Sequence, residues 1–162
     1  MHNPKQNVWI TGVGGLIGSH LIQAASRYAP GWRVYGSTRA QVDLTDPVAV
    51  QEAFHRIRPQ ALIHCAGLTR SGLCEQEPGL ARTLNIEVTA RLAELASDIR
   101  FIFFSTDLVF DGRRGDYDET GQVNPLSVYA ETKAEAERQV LANPNHIVIR
   151  TSLNGGTSPT GD

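Results

Sequence analysis

Cysteine is scarce in this chain: two in 162 residues, Cys65 and Cys74. They have neither CxxC spacing nor clustered histidine partners, so no metal site and no disulfide framework is expected, and both read as free thiols of a reducing compartment. No apolar run approaches the roughly 18 residues of a membrane span. The opening MHNPKQ is too polar for a signal peptide, and the expected location is the cytoplasm. An excess of either charge is missing as well: 15 Lys and Arg stand against 17 Asp and Glu, a net charge of −2. Nothing there invites nucleic acid. Internal repeats are absent, and the length suits one domain with a core of its own.

What the chain does have is a glycine cluster between a strand and a helix, in NVWITGVGGLIGSH from Asn7 to His20. Val8, Trp9 and Ile10 have the character of a buried strand, while Leu16, Ile17, Leu21 and Ile22 recur at helical spacing. Gly12 allows the tight turn, Gly15 lets the backbone approach a pyrophosphate, and Gly18 lets the helix pack closely on the sheet. The helix N-terminus then offers N–H groups and partial positive charge to phosphates. The spacing is GxxGxxG, not GxGxxG, and an ordinary tight turn is the competing reading.

Downstream, strand and helix patterns alternate, which predicts an α/β fold: a Rossmann-like doubly wound parallel sheet of about six strands. The first helix should end near Tyr28, before Pro30 and Gly31. WRVYGS, Trp32 to Ser37, is a second strand. Where an acid would bind the ribose 2′-OH of NAD stand Ser37, Thr38 and Arg39, so NADP(H) is the preferred cofactor, with NAD(H) admitted. Arg39 could equally be a solvated loop cation. QVDLTD, Gln41 to Asp46, reads as a very short third strand before a helix opened by Pro47 and stopped by Pro59. Asp43 could meet an adenine edge or serve as a turn aspartate.

ALIHCAG, Ala61 to Gly67, is an apolar fourth strand in which His64 reads as a buried structural histidine before a catalytic one. Thr69 to Glu77 is a loop, and Pro78 opens the longest helix. On that helix Asn85 either bonds a loop carbonyl or joins a water chain. Arg100 to Phe110 is a fifth strand with a polar exit at Ser105, Thr106 and Asp107, on the side where open α/β sheets gather ligands. Asp111 to Gly121 is a surface loop, Asn124 and Pro125 start a helix through about Ala142, and His146 to Thr151 is a sixth strand. Residues 1–151 would form the NAD(P)-binding domain. Residues 152–162 form a flexible Gly/Ser/Thr/Pro tail or the start of a further lobe.

SVYAETK holds Tyr129 and Lys133 at i and i+4, on one helix face. A phenol with an ordinary pKa of about 10 is a poor acid at neutral pH, and a neighbouring cation would lower it. A hydroxyl from Thr106 or Ser105 could bond the same substrate oxygen.

TGVGGLIG, VDLTD, HCAGLT, STDLVFDG and NPLSVYAETKAEAE together resemble the extended short-chain dehydrogenase/reductase family, and within it the dTDP-4-dehydrorhamnose reductase branch. The resemblance implies a reductase of a 4-keto-6-deoxy sugar nucleotide. In it Thr106 and Tyr129 bind the carbonyl, Tyr129 supplies the proton, and Lys133 holds the nicotinamide ribose and lowers the tyrosine pKa. The backbone at Gly15, Leu16 and Ile17 would receive the pyrophosphate, Asp43 and Leu44 would flank the adenine, and Cys65, Ala66 and Gly67 would line the cofactor. Asp107 would lie near the sugar. Leu108 stands where these reductases carry tyrosine, and the substrate lobe that follows the sixth strand in the family is not among these 162 residues. A truncated reductase, possessing a nucleotide-sugar substrate and free to form a homodimer, is therefore the expectation. A nucleotide-sugar epimerase or dehydratase is a second enzyme reading, and a regulatory module that binds NADP without chemistry is a third.

Overall fold

The computed structural model describes residues 6–152, 155 and 159. Five parallel strands make its sheet: β1 (Gln6–Thr11), β2 (Trp32–Ser37), β3 (Ala61–His64), β4 (Arg100–Thr106) and β5 (Ile147–Thr151). They lie in the order β2-β1-β3-β4-β5, so the winding reverses between β1 and β3. A crevice opens at the carboxyl ends of the strands at such a reversal.

Six α-helices accompany the sheet: α1 (Leu16–Tyr28), α2 (Pro47–Ile57), α3 (Ser71–Gln76), α4 (Pro78–Arg82), α5 (Val88–Leu95) and α6 (Val128–Leu141). Crossover helices cover the sheet, which is why β1, β3 and β4 are nearly unbroken apolar runs. In register, Trp9 sits beside Leu62 and Leu62 beside Phe101. These rings and side chains pack with Val50 and Ile57 of α2, Leu92 of α5 and Val140 of α6 in the main core. The alternate residues Val8, Ile10 and Ala61 point to the opposite face, where Leu21 and Ile22 of α1 meet them. Among the described residues no helix is long and apolar enough to cross a membrane.

Several local expectations are corrected. Gln41 to Asp46 is not a strand: Val42 N–H donates to the Thr38 carbonyl at 3.0 Å and Asp46 N–H to that of Asp43 at 3.1 Å. The Asp43 side chain offers Thr45 a local acceptor that competes with a ladder, while Val42 still reaches the main core. The sheet therefore has five strands, not six. The stretch read as a loop from Thr69 to Glu77 contains α3, drawn in by the buried Cys74. β3 stops at His64, with the Cys65 N–H still donating to the Thr11 carbonyl of β1 at 3.2 Å; β4 ends at Thr106 in a 3-10 turn, Asp107–Val109.

The helix expected at Asn124 begins at Val128. Ser127 caps it, its Oγ accepting from Ala130 N–H at 3.2 Å, whereas Asn124 donates to Asp111 Oδ2 at 3.0 Å and so belongs to the loop. Between α4 and α5 the helix widens into one π turn, Thr83–Glu87. Pro47 and Pro78 open their helices as expected, and Asp46 caps α2.

Candidate active site

The glycine corner is built by steric necessity. Gly12 has φ +77°, and a Cβ there would lie 2.5 Å from the Ala66 nitrogen. A Cβ on Gly18 would lie 2.4 Å from the Gly12 oxygen, so the helix could not approach the turn. At Gly15 the nearest atom to a Cβ is 3.5 Å away, and this residue opens onto a cavity. The Gly15 N–H is itself used, donating to the Gly12 carbonyl at 3.1 Å. Beyond it α1 has no side-chain cap and no acid in its first turn, and the N–H groups of Leu16, Ile17 and Gly18 find no acceptor among the described residues. α2 and α6 are both capped by a side chain, whereas α1 keeps donors for an anion.

That cavity, of about 500 Å³, is lined by Gly12 and Gly15 of the corner and by Thr38 and Arg39 after β2. Asp43, Leu44, Cys65, Ala66 and Gly67 also line it. Of the residues expected at the cofactor, Leu16, Ile17, Gly18, Tyr129 and Lys133 lie outside this lining. Thr38 is tied to Gln41 Oε1 through its N–H and hydroxyl, at 2.9 and 3.1 Å, which leaves Arg39, exposed at the rim, as the free-standing cation there. Asp43 is the turn aspartate: Oδ1 accepts from the Thr45 hydroxyl at 2.7 Å and N–H at 2.9 Å. Those bonds, with Arg39 adding to them, hold its carboxyl below the usual range. Ser37 is spent on the core, accepting from Trp9 Nε1 at 2.9 Å. A more open groove of about 560 Å³ between α5 and α6 contains none of the candidate residues.

His64 is structural. Its Nδ1 lies 2.7 Å from Thr11 Oγ1 and its Nε2 3.2 Å from Thr89 Oγ1, and its ring stacks on Phe101 and Phe103. Burial pushes its pKa down to about 3, so the ring is neutral. Asn85 resolves as the amide that bonds a loop, at Leu68.

Thr106, Tyr129 and Lys133 gather where β4 ends against α6. The Thr106 hydroxyl donates to Asp107 Oδ1 at 3.3 Å and accepts from Leu108 N–H at 3.2 Å. Burial pushes the half-buried Tyr129 phenol above its ordinary value, while the neighbouring Thr106 side chain pulls the other way. The cation expected to lower the phenol is turned elsewhere: Lys133 Nζ donates to the Phe104 carbonyl at 2.6 Å and sits 3.9 Å from the Phe103 ring centroid. Burial brings Lys133 down to about 7. Its field reaches Cys65, whose thiol burial pushes up to about 12, and Cys65 is part of the cavity wall.

Asp107 and Leu108 are exposed beside this cluster. Ser105 Oγ, which sequence could not rank against Thr106, is the buried side-chain polar atom without a partner among the described residues. No group of three His, Cys, Asp or Glu able to hold a metal occurs among them.

A parallel sheet with a glycine corner at its winding reversal and Tyr-x-x-x-Lys on its last helix defines a Rossmann-like α/β protein of the extended short-chain dehydrogenase/reductase kind. More particularly, the chain belongs to the RmlD substrate binding domain family, which matches residues 6–157. It is 31% identical over 159 residues to methionine adenosyltransferase 2 subunit beta of Danio rerio, covering 94% of this chain and 49% of that one. To dTDP-4-dehydrorhamnose reductase of Mycobacterium tuberculosis it is 34% identical over 167 residues, covering 97% and 54%. The crystal structure of dTDP-4-dehydrorhamnose reductase from Bacillus anthracis in complex with NADP matches with a TM-score of 0.84 and 30% identity, covering 91% of this chain and 54% of that one. The chain thus spans about half the length of the relatives it matches.

Proposed function

We propose that this chain is the dinucleotide-binding half of an NADP(H)-dependent reductase that acts on a 4-keto-6-deoxy sugar nucleotide. One observation carries the reading: Asn85 bonds both Leu68 of the glycine-corner cavity wall and Thr132, the neighbour of Lys133, and Cys65 of the same wall lies within the field of Lys133, which supports one site made of the two regions. Residues 1–151 form the dinucleotide domain in this reading, and residues 152–162, mostly outside the described set, begin the substrate lobe.

The cavity fits a dinucleotide by its donor set. Leu16 and Ile17 offer unpaired N–H groups to the diphosphate, with Gly12, Gly15 and Gly18 shaping the turn. Arg39 and Thr38 meet a 2′-phosphate, which no carboxylate at the end of β2 repels. Asp43 and Leu44 flank the adenine; Cys65, Ala66 and Gly67 support the middle of the molecule. When bound, the nicotinamide supplies hydride to the carbonyl carbon. Thr106 and Tyr129 hold the carbonyl oxygen, Asp107 faces the sugar, and Lys133 grips the ribose. A phenol held above its ordinary pKa keeps its proton at neutral pH, the form that a reduction consumes.

Calorimetric titration of the chain with NADPH and NADH tests the first half: tighter NADPH binding is expected, and tighter NADH binding overturns the Arg39 assignment. Hydride consumption with the sugar nucleotide, in a chain extended to the family's full length, should vanish in Tyr129→Phe. The cytoplasm is the proposed location and a homodimer the proposed assembly.

A second reading is favoured by the match to methionine adenosyltransferase 2 subunit beta, which is as similar as the reductase. On it the chain binds NADP as a non-catalytic subunit. Full-length protein that binds NADPH but consumes none with any 4-keto sugar nucleotide would favour it.

A further inference from the structure

We propose that Glu137 is a positioning residue for Lys133: its buried carboxylate, one helical turn along α6, holds that side chain as an ammonium, and Arg150 of β5 sets how much of its charge remains for the task. Lys133 and Glu137 are 6% and 2% exposed, so neither charge is carried by water. Around Nζ the partners that are not ionised are the Phe104 carbonyl and the Phe103 ring.

The titratable groups facing Lys133 from its neighbours are neutral at neutral pH. On β3 these are His64, with its pKa about 3, and the Cys65 thiol just beyond it, at about 12. On α6 it is the Tyr129 phenol, held above its ordinary value. Glu137 supplies the counter-charge among the described residues, and it is the main group opposing the burial that lowers Lys133.

Glu137 is shared. Arg150 Nε lies 3.1 Å from both carboxylate oxygens and Nη2 2.7 Å from Oε2. The guanidinium is anchored from its other side, by the Glu119 carbonyl at 3.4 Å and the Phe110 ring at 5.0 Å from its centroid. Arg150 bonds the Glu137 carboxylate directly, whereas Lys133, one helical turn away and bonded to the Phe104 carbonyl, feels only the charge that remains; removing one member of such a set leaves the others uncompensated. Loss of Glu137 leaves a buried amine and a partly exposed guanidinium without their carboxylate, and the amine, unlike the guanidinium, can shed its proton. Loss of Arg150 leaves the carboxylate to Lys133 alone.

The chain has two lysines, Lys5 and Lys133, so lysine-selective 13C labelling gives two side-chain signals, assigned with Lys5→Arg. Their titration between about pH 5 and pH 11 reads the ammonium directly. Glu137→Gln is expected to lower the Lys133 midpoint by about one pH unit and Arg150→Met to raise it by a similar amount. An unmoved midpoint in the first variant, or a fall in the second, overturns the proposal. If Glu137→Gln does not fold, Glu137→Asp should give a smaller fall, and the absence of one counts against it equally. An Arg150–Glu137 pair electrostatically isolated from Lys133 would leave the midpoint unmoved in both variants. The consequence for ribose binding rests on the function proposed above, but the titration needs no nucleotide: a chain that shows both shifts yet binds no NADPH would overturn that function and leave this assignment standing.

Discussion

Asn85 grips Leu68 at both ends: the Leu68 N–H donates to Oδ1 at 2.7 Å, and the Leu68 carbonyl accepts from Nδ2 at 3.0 Å. The same Nδ2 donates to Thr132 Oγ1 at 3.0 Å, so one amide ties the cavity wall to α6. The π turn from Thr83 to Glu87 carries this residue, and such turns are frequent at functional sites. Asn85→Ala is expected to cost about 2–3 kcal/mol, because buried partners are left unpaired. Urea denaturation checks it, and a loss near zero would show that water replaces the amide.

Three glycines separate steric need from habit. Gly12→Ala and Gly18→Ala each force a Cβ within 2.5 Å of backbone, whereas Gly31→Ala meets nothing within 4 Å. Thermal melts should show the first two losing several kcal/mol and the third changing by about 0.5 kcal/mol or less. Equal losses at all three would mean that the corner tolerates a side chain.

Burial of His64 makes stability depend on acid. Its folded pKa of about 3 lies below the ordinary value of 6.5, so within that window the unfolded chain binds the extra proton. Stability therefore falls as pH drops from the upper value toward the lower, with a slope approaching about 1.4 kcal/mol per pH unit from this group. Measured from pH-dependent denaturation, His64→Gln should flatten that limb. An unchanged slope would show that the imidazole titrates normally.

At the cavity rim Arg39→Ala should weaken NADPH binding about tenfold while leaving NADH within a factor of about two. Fluorescence titration with both nucleotides reads the difference. Equal weakening of both would assign Arg39 to the shared diphosphate instead of the 2′-phosphate.

Ser105→Ala removes a buried hydroxyl that has no partner among the described residues. Its stability should stay level or rise by up to about 1 kcal/mol, since no hydrogen bond is lost and a desolvated group is deleted. A loss of more than about 1 kcal/mol would reveal a bond that the fold depends on.

The glycine corner was legible because each glycine is dictated within a few residues of itself, by a positive φ at Gly12 and a backbone approach at Gly18. The apolar runs of β1, β3 and β4 were legible for a similar reason, since burial on both faces writes itself as unbroken hydrophobicity. Gln41 to Asp46 misled because Val42 and Leu44 alternate like a strand while packing on the core from a turn. Asn124 misled because its capping chemistry is spent on Asp111, thirteen residues back along a loop.

Tyr129 and Lys133 were placed on one helix face by their spacing alone, and the α/β order followed from alternating periodicity, though that reading counted six strands where the sheet has five. Those are properties of short stretches, which a chain specifies through its own backbone and its nearest neighbours. What surrounds each charge is another matter. That Lys133 turns to the Phe104 carbonyl, that Glu137 is bonded by Arg150, and that Tyr129 answers to Thr106 more than to the lysine were decided by β3, β4, β5 and α6 closing on one another. Desolvation and Coulomb energy depend on distances across the fold, and no spacing along the chain encodes them.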